Sequence, residues 1–323
     1  MGHTRLYRNG TLEAEGFPVA DVSELVEDPS AVVWFDMCAP TEEDLHAISE
    51  ELGLHALAVE DALQHRQRPK LDVYDSHMFL SVYAAAFDSE SGQVRIAPAT
   101  AFITKNALVT VRQSDDFSIK EVVRRWDEGA ALSRHGVAFL LHGLLDYVVD
   151  SHFETVEAMD EQVEDLEGTV FGDRPVGPED QRRTFELRKS LVTLRRIVMP
   201  MREAVNTLLR RNGLSDDGEM TPYFQDVYDQ VLRATEWTES LRDLVSNIRE
   251  THLTMQSNRM NLIMKRVTSW AAIIAVPTLI TGFYGQNIPF PGFGHSSGFW
   301  TSIALIVVAS AALYRVFRAR DWL

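Results

Sequence analysis

The pattern of hydrophobic and polar positions divides the chain into a mixed first part, a helical middle part and an apolar end. In residues 1–132, short runs of β-branched and aromatic residues are separated by turn residues, which predicts an α/β domain. We expect strands at 31–36, 77–87, 93–104 and 107–112. Thr41 and Asp44 form a capping-box pattern, which predicts a helix that begins there and ends at Gly53.

From residue 133 onward, apolar residues recur every three to four positions, which is typical of amphipathic helices. In the region 133–220 we predict long helices over 135–168 and 179–211, the second bent or interrupted near Pro200. A third helix opens at Thr221-Pro222, where Pro is tolerated in the first turn, and no Pro or Gly occurs from Tyr223 to Ala275. The resulting stalk, residues 221–266, would continue directly into the apolar end of the chain.

The apolar end contains two runs that are long enough to cross a membrane. No Asp, Glu, Lys or Arg occurs from Val267 to Tyr314, although these residues make up 24% of the chain. At ~1.5 Å per residue, helices over 267–285 and 299–317 would each span a hydrocarbon core of ~30 Å. Two buried helices of a soluble core are the alternative. The basic flanks and the near-contiguity of the runs favour a transmembrane hairpin with a connecting loop at 286–298.

The distribution of charge predicts the orientation of the chain in the membrane and excludes some classes of partner. Basic residues precede the first run and follow the second, including those of the tail 318–323, so both termini are expected in the cytoplasm of a cell (inner) membrane protein. The net charge of −16 argues against nucleic acid as a partner and suits a protein that meets cations. A single cysteine, Cys38, is typical of a reducing compartment. The N-terminus carries no apolar signal region, so we expect insertion through the C-terminal runs.

One face of the first apolar helix carries small or neutral polar side chains. In steps of three and four this stripe is Asn261, Met264, Thr268, Ala271, Ala275, Thr278, Gly282 and Gly285, and only Met264 is a large apolar residue. Small residues are used for close helix packing in membranes, and such a stripe can also line a water-filled pore. The pattern alone leaves both open. A two-span chain cannot enclose a pore, so the second interpretation requires a closed ring of copies.

The residues at the end of the first apolar run carry a family resemblance. Gly285-Gln286-Asn287, preceded by Tyr284, resembles the Gly-Met-Asn signature of the CorA magnesium/cobalt channel family within the CorA/ZntB superfamily. The segments 68–71, 222–229, 257–261, 277–280 and 321–323 are similar to that family as well. The resemblance implies an α/β cytoplasmic domain, a long stalk helix and a two-helix hairpin in a funnel-shaped homopentamer.

It also implies roles for individual residues. Gly285, Gln286 and Asn287 would form the selectivity filter, with Asn287 as a carboxamide ring at the outer mouth. Asn261, Met264, Val267, Thr268, Ala271 and Thr278 would line the pore, with a hydrophobic constriction near Met264 and Val267. Mg²⁺ holds its waters tightly, and neutral oxygens can contact its hydration shell without stripping it. Gln286 replaces the family's Met, and the loop has no carboxylate, so Co²⁺ or Zn²⁺ as the transported ion stays open beside Mg²⁺.

The resemblance further suggests regulation by cytoplasmic Mg²⁺. Asp226 on the stalk would share a Mg²⁺ ion with an acidic residue of a neighbouring copy, for which Asp88 is our candidate. Loss of that ion would open the pore. The nine carboxylates between Asp146 and Glu167 are expected to form a solvated face. His135 and His142 are expected to pack rather than bind metal.

The sequence shows no phosphate loop, dinucleotide fingerprint, zinc-protease motif or nucleophile elbow, so we expect no enzyme. The alternative from another class is a structural or signalling protein that the hairpin merely tethers to a membrane.

Overall fold

The structure, a computed structural model, describes residues 3–18, 21–64, 67–172, 176–211, 218–286, 289 and 292–323. The chain forms two compact units, Met1–Ser246 and Asn247–Leu323.

The described part of the first unit is built on a seven-stranded sheet. In the sheet their order is β2-β1-β3-β7-β6-β5-β4, and every neighbouring pair is antiparallel except β3 with β7. The strands are β1 (His3–Arg8), β2 (Thr11–Glu15), β3 (Ala31–Cys38), β4 (Lys70–Val73), β5 (Met78–Asp88), β6 (Gln93–Ile103) and β7 (Ala107–Arg112). The four predicted strands are confirmed to within two residues at their ends.

Two hydrophobic cores lie on opposite faces of this sheet, because successive side chains of a strand point to opposite sides. In β3, Val33 and Phe35 enter one core while Trp34 between them enters the other. The helices α1 (Val22–Val26), α2 (Glu42–Leu52) and α3 (Ala56–Leu63) contribute to the first core. The second core takes residues from α4 (Ile119–Glu128), α5 (Val137–Phe171), α6 (Pro178–Leu209) and the start of α7 (Thr221–Tyr284).

The start and the end of α2 were predicted correctly from the local sequence. The Thr41 hydroxyl accepts a hydrogen bond from the Asp44 N–H at 3.2 Å, and the Asp44 carboxylate accepts one from the Thr41 N–H at 2.9 Å. Gly53 ends the helix in a left-handed conformation with φ of 63°. The predicted capping box and C-terminal glycine are confirmed.

Three features of this unit were not predicted correctly. The strands β1, β2 and β4 were missed. In β1 the reason is the charged residue Arg5 in its buried part, whose guanidinium pairs with Asp127 at 2.6 Å, far away in sequence. His135 lies in a 3-10 helix, Ala130–His135, rather than in α5. Of the two alternatives expected at Pro200, the interruption is wrong: α6 continues through it, with Val198 and Met201 on either side buried.

The second unit contains the last part of α7 and all of α8 (Ser296–Ala319). The two predicted apolar runs fall in these helices, and α7 passes through Pro277 without a break. Both helices are long and apolar enough to cross a membrane, and only 6% and 0% of their most apolar windows are buried. A soluble core would bury such surfaces, so the alternative of two core helices does not fit this unit.

Candidate functional site

The unbroken course of α7 places the predicted stripe on one face of one helix. Proline lacks an N–H, so Pro277 leaves the carbonyl of Ile273 without its usual helical partner. Next to it, the Thr278 hydroxyl donates to the Ile274 carbonyl at 3.1 Å. A hydroxyl bound in this way keeps its lone pairs available, so Thr278 presents an acceptor oxygen to its surroundings.

Exposure divides this part of α7 into two sides. The stripe residues Asn261, Met264, Thr268, Ala271, Ala275, Thr278 and Gly282 are all exposed. On the other side, at the same helical spacing, Ser269 is fully buried and Ala272, Ile273, Val276 and Ile280 are half-buried. One side of the helix is therefore partly covered within the chain, whereas the small and polar side is open, and large apolar residues such as Trp270, Ile274 and Leu279 are exposed as well.

The two apolar residues assigned to the constriction are also uncovered in a single chain. Met264 is 56% exposed and Val267 is 59% exposed. Large apolar side chains at that exposure, directly beside neutral polar ones, need a partner surface of lipid or protein.

At its C-terminal end α7 closes in a short turn. The Gly285 N–H donates to the Thr281 carbonyl at 2.8 Å, and the Gln286 N–H donates to Phe283 at 3.3 Å. A methyl group on Gly285 would lie 3.0 Å from the Thr281 carbonyl oxygen, so a side chain there would crowd this turn. Gly285 and Gln286 are exposed, whereas Asn287 lies outside the described residues.

Aromatic side chains mark both ends of the apolar helices. Phe283 at the end of α7 and Phe299 and Trp300 at the start of α8 are more than half exposed. Trp270 and Tyr314, near the opposite ends of the two apolar runs, are exposed as well. Two such groups separated by an apolar stretch are typical of the two interfaces of a membrane.

The two carboxylates proposed for a regulatory metal occupy different settings. Asp226 is exposed on α7 and accepts a hydrogen bond from the Gln230 amide at 2.9 Å. Asp88 ends β5, where the Ser91 hydroxyl at 2.9 Å and the Glu90 N–H at 3.1 Å lower the pKa of its carboxyl group. No cluster of three or more His, Cys, Asp or Glu side chains in the described ranges could hold a metal ion. A site at these residues would have to be completed by another chain.

Two further expectations concern α5. His142 packs edge-on against the rings of Tyr223 and Phe224, and burial lowers its pKa, so its predicted packing role is confirmed. The expected solvated acidic face begins with two carboxylates that are ion-paired and partly exposed. There Arg125 contacts the carboxylates of both Asp146 and Asp150, an arrangement that a local charge pattern cannot reveal.

The sequence also gave no signal for the position of the last residues. Trp322 folds back and stacks on Phe317, with ring centroids 5.7 Å apart and planes 10° from parallel. It lines a recess together with residues of α7 that include Asn261 and Met264.

Known proteins resemble this chain over nearly its whole length. A family model described as CorA-like Mg²⁺ transporter protein matches residues 29–319. A cobalt/magnesium transport protein CorA of Thermotoga maritima is 28% identical over 317 residues, which are 96% of this chain and 90% of the relative. A putative metal ion transporter of Bacillus subtilis, YfjQ, is 29% identical over 93% of this chain and 92% of its own length. The complete structure of a CorA magnesium transporter from Methanocaldococcus jannaschii matches 100% of this chain and 99% of that one, with a TM-score of 0.79 at 21% identity.

Proposed function

This chain belongs to the CorA-like Mg²⁺ transporter proteins, and we propose that five copies of it form a membrane pore that carries hydrated Mg²⁺, and also Co²⁺, down the electrochemical gradient. Membership makes the protein a divalent-cation transporter and not an enzyme. The number of copies, the pore residues and the regulation belong to the proposal.

The observation that carries the proposal is the two-sided character of α7. Its neutral oxygens and small residues share one exposed face, and the partly covered residues, from Ser269 to Ile280, lie on another. Since two spans cannot surround a channel, a pore along this face requires other copies, and rotational symmetry would bring identical stripes around one axis. A tethering hairpin would need no such stripe.

The chemistry of the stripe suits an ion that keeps its water. Mg²⁺ demands a tight octahedral shell and loses it reluctantly. The amide of Asn261 and the hydroxyls of Thr268 and Thr278 can accept hydrogen bonds from the water ligands, and no carboxylate along 267–314 would trap the ion. Rings of Met264 and Val267 would form an apolar constriction that closes by excluding water.

The proposed filter begins where α7 ends. Gly285 and Gln286 follow the last helical residue, and Asn287 comes next in the chain. Five carboxamides from Asn287 would form the outer mouth, where ions enter from the side opposite the cytoplasmic termini. Gln286 adds a second ring of amides beside it, so the order of preference among Mg²⁺, Co²⁺ and Zn²⁺ need not equal that of relatives with Met.

The first test removes the proposed filter amide. We expect Asn287→Ala to lower Mg²⁺ uptake into liposomes by about tenfold or more, since the ion would meet no ordered acceptors at the mouth. Asn247→Ala, which removes an exposed amide from α7 outside the stripe, serves as the matched control and is expected to transport like the parent. Uptake of Co²⁺, Ni²⁺ and Zn²⁺, with and without a pH gradient, is measured on the same preparations. Parental uptake by Asn287→Ala would contradict the assignment, and absence of any ion uptake by the parent would contradict the function.

A further inference from the structure

The C-terminal residues of the chain are folded by a defined helix-ending motif. After α8, the Asp321 N–H donates to the Arg318 carbonyl at 3.3 Å and the Trp322 N–H donates to the Phe317 carbonyl at 3.0 Å. This pair of hydrogen bonds, with the stacking of Trp322 on Phe317, is a Schellman motif. The motif reverses the chain, so Trp322 points back along its own helix.

The reversal requires a backbone conformation that is unfavourable for most residues. The residue at the turn, Asp321, has φ of 55°, a left-handed conformation in which glycine is usual and other residues are strained. The strain persists because Trp322 and Leu323 are both partly buried. The position of Trp322 is therefore held by contacts on both sides of the turn.

Trp322 and α7 border the same recess at the cytoplasmic end of the proposed pore. Trp322 lines this recess together with Asn258, Asn261, Leu262, Met264, Lys265 and Thr268. Three of these, Asn261, Met264 and Thr268, are stripe residues. Trp322 thus places the end of α8 at the same recess as the turn of α7 that would carry the constriction.

We propose that Trp322 is a positioning residue that ties the inner end of the pore helix to the second span, so that the constriction can close. This inference rests on the proposed function. A constriction of apolar side chains excludes water only when several copies present them at a defined distance from the axis. Without the indole, the α7 turn around Met264 has more freedom, and the population shifts away from the closed arrangement.

The test compares closure in five variants reconstituted in liposomes. Mg²⁺ uptake is measured with no Mg²⁺ inside and with a high concentration inside that inhibits the parent. We expect Trp322→Ala to keep uptake without internal Mg²⁺ and to show about threefold or more residual uptake at high internal Mg²⁺, because the closed population has fallen. Trp322→Phe keeps a ring and is expected to restore parental inhibition.

Two variants examine the turn, and one serves as a control. Asp321→Gly removes the strain and keeps the reversal, so it should behave like the parent. Asp321→Val places a β-branched residue at positive φ and should be as leaky as Trp322→Ala. Trp300→Ala removes an exposed tryptophan from the other end of α8 and should close normally. Parental inhibition of Trp322→Ala, or an equal leak in Trp300→Ala, overturns the inference.

A second measurement does not depend on ion flux. In a Cys38→Ser background, Lys265→Cys places a single thiol beside Trp322, and its reaction with a membrane-impermeant maleimide is timed. Trp322→Ala is expected to speed labelling by about threefold or more because the recess opens. Equal rates overturn the contact. A parent that transports no ion contradicts the proposed function, whereas a transporting parent with unchanged inhibition in Trp322→Ala overturns this inference alone.

Discussion

His152 is a residue whose ionisation is strongly tied to the fold. Its ring lies fully buried between α5 and β5, and its Nε2 atom hydrogen-bonds the Tyr83 carbonyl at 2.7 Å. Its Nδ1 atom has no hydrogen-bond partner in the part of the chain that the structure describes. Burial lowers the pKa of His152 from 6.5 to about 4. The folded protein therefore holds a neutral imidazole, with its proton on Nε2.

This depressed pKa predicts acid sensitivity in a definite range. Above pH 6.5 the ring is neutral in both states, and between pH 6.5 and about 4 only the unfolded chain takes up the proton. Stability is therefore lost as the pH falls through that range, by about 2 kcal/mol at pH 5. Thermal melting of the full chain in detergent should show a steeper decline from pH 7 to 5 for the parent than for His152→Gln. The exposed His46→Gln is the control and should follow the parent; a parallel decline in His152→Gln would disprove the assignment.

At the scale of elements, the contact between α4 and α5 depends on a glycine, Gly143, which has no side chain. The Trp126 indole N–H donates to the Leu140 carbonyl at 3.0 Å, and its ring stacks edge-on against Trp34 at 4.7 Å. A methyl group on Gly143 would lie 2.5 Å from the Trp126 ring. The glycine in the middle of α5 is thus required by packing, although it lowers the intrinsic stability of the helix.

Two glycines of α5 should respond to the same substitution in opposite ways. Gly143→Ala should reduce the free energy of unfolding by about 1–3 kcal/mol, because the ring must move. Gly168→Ala, whose new methyl group would meet nothing within 4 Å, should raise it by about 0.5–1 kcal/mol through helix propensity. Melting temperatures of both variants check this. A stabilising Gly143→Ala would show that the indole is free to shift.

At the scale of the whole molecule, the net charge of −16 has to be accommodated when copies assemble. Like charges that face one another across an interface repel unless cations lie between them. Asp226 is exposed, and hydrogen bonds keep the Asp88 carboxyl ionised. Cytoplasmic Mg²⁺ between copies would relieve the repulsion and favour the closed assembly.

The matched pair Asp226 and Asp229 tests this regulation. Each accepts a hydrogen bond from a glutamine four residues away, at 2.9 Å for Asp226 and 3.0 Å for Asp229. Asp226→Asn should require about threefold or more internal Mg²⁺ for half-inhibition of uptake, since one ligand charge is lost. Asp229→Asn should leave the inhibition unchanged. Equal inhibition curves for both variants and the parent would remove Asp226 from the proposed site.

Much of the architecture could be predicted from the sequence, because the responsible interactions are local or periodic. The capping box at Thr41, the uncharged stretch from Val267 to Tyr314 and the signature at Gly285 each lie within one continuous segment. Hydrophobic spacing determined the long helices, and the basic flanks determined the expected orientation. The stripe on α7 was readable for the same reason, since helical spacing alone places its members on one side.

Only the tertiary structure decided which side of α7 is covered, since burial depends on which other segments of the folded chain lie against that helix. The same holds for the buried Arg5 in β1, for the pairing of Arg125 with Asp146, and for the continuity of α6 through Pro200. The return of Trp322 to α7 likewise joins residues more than fifty positions apart. Contacts over such distances are set by three-dimensional packing, and a one-dimensional pattern of residues does not contain them.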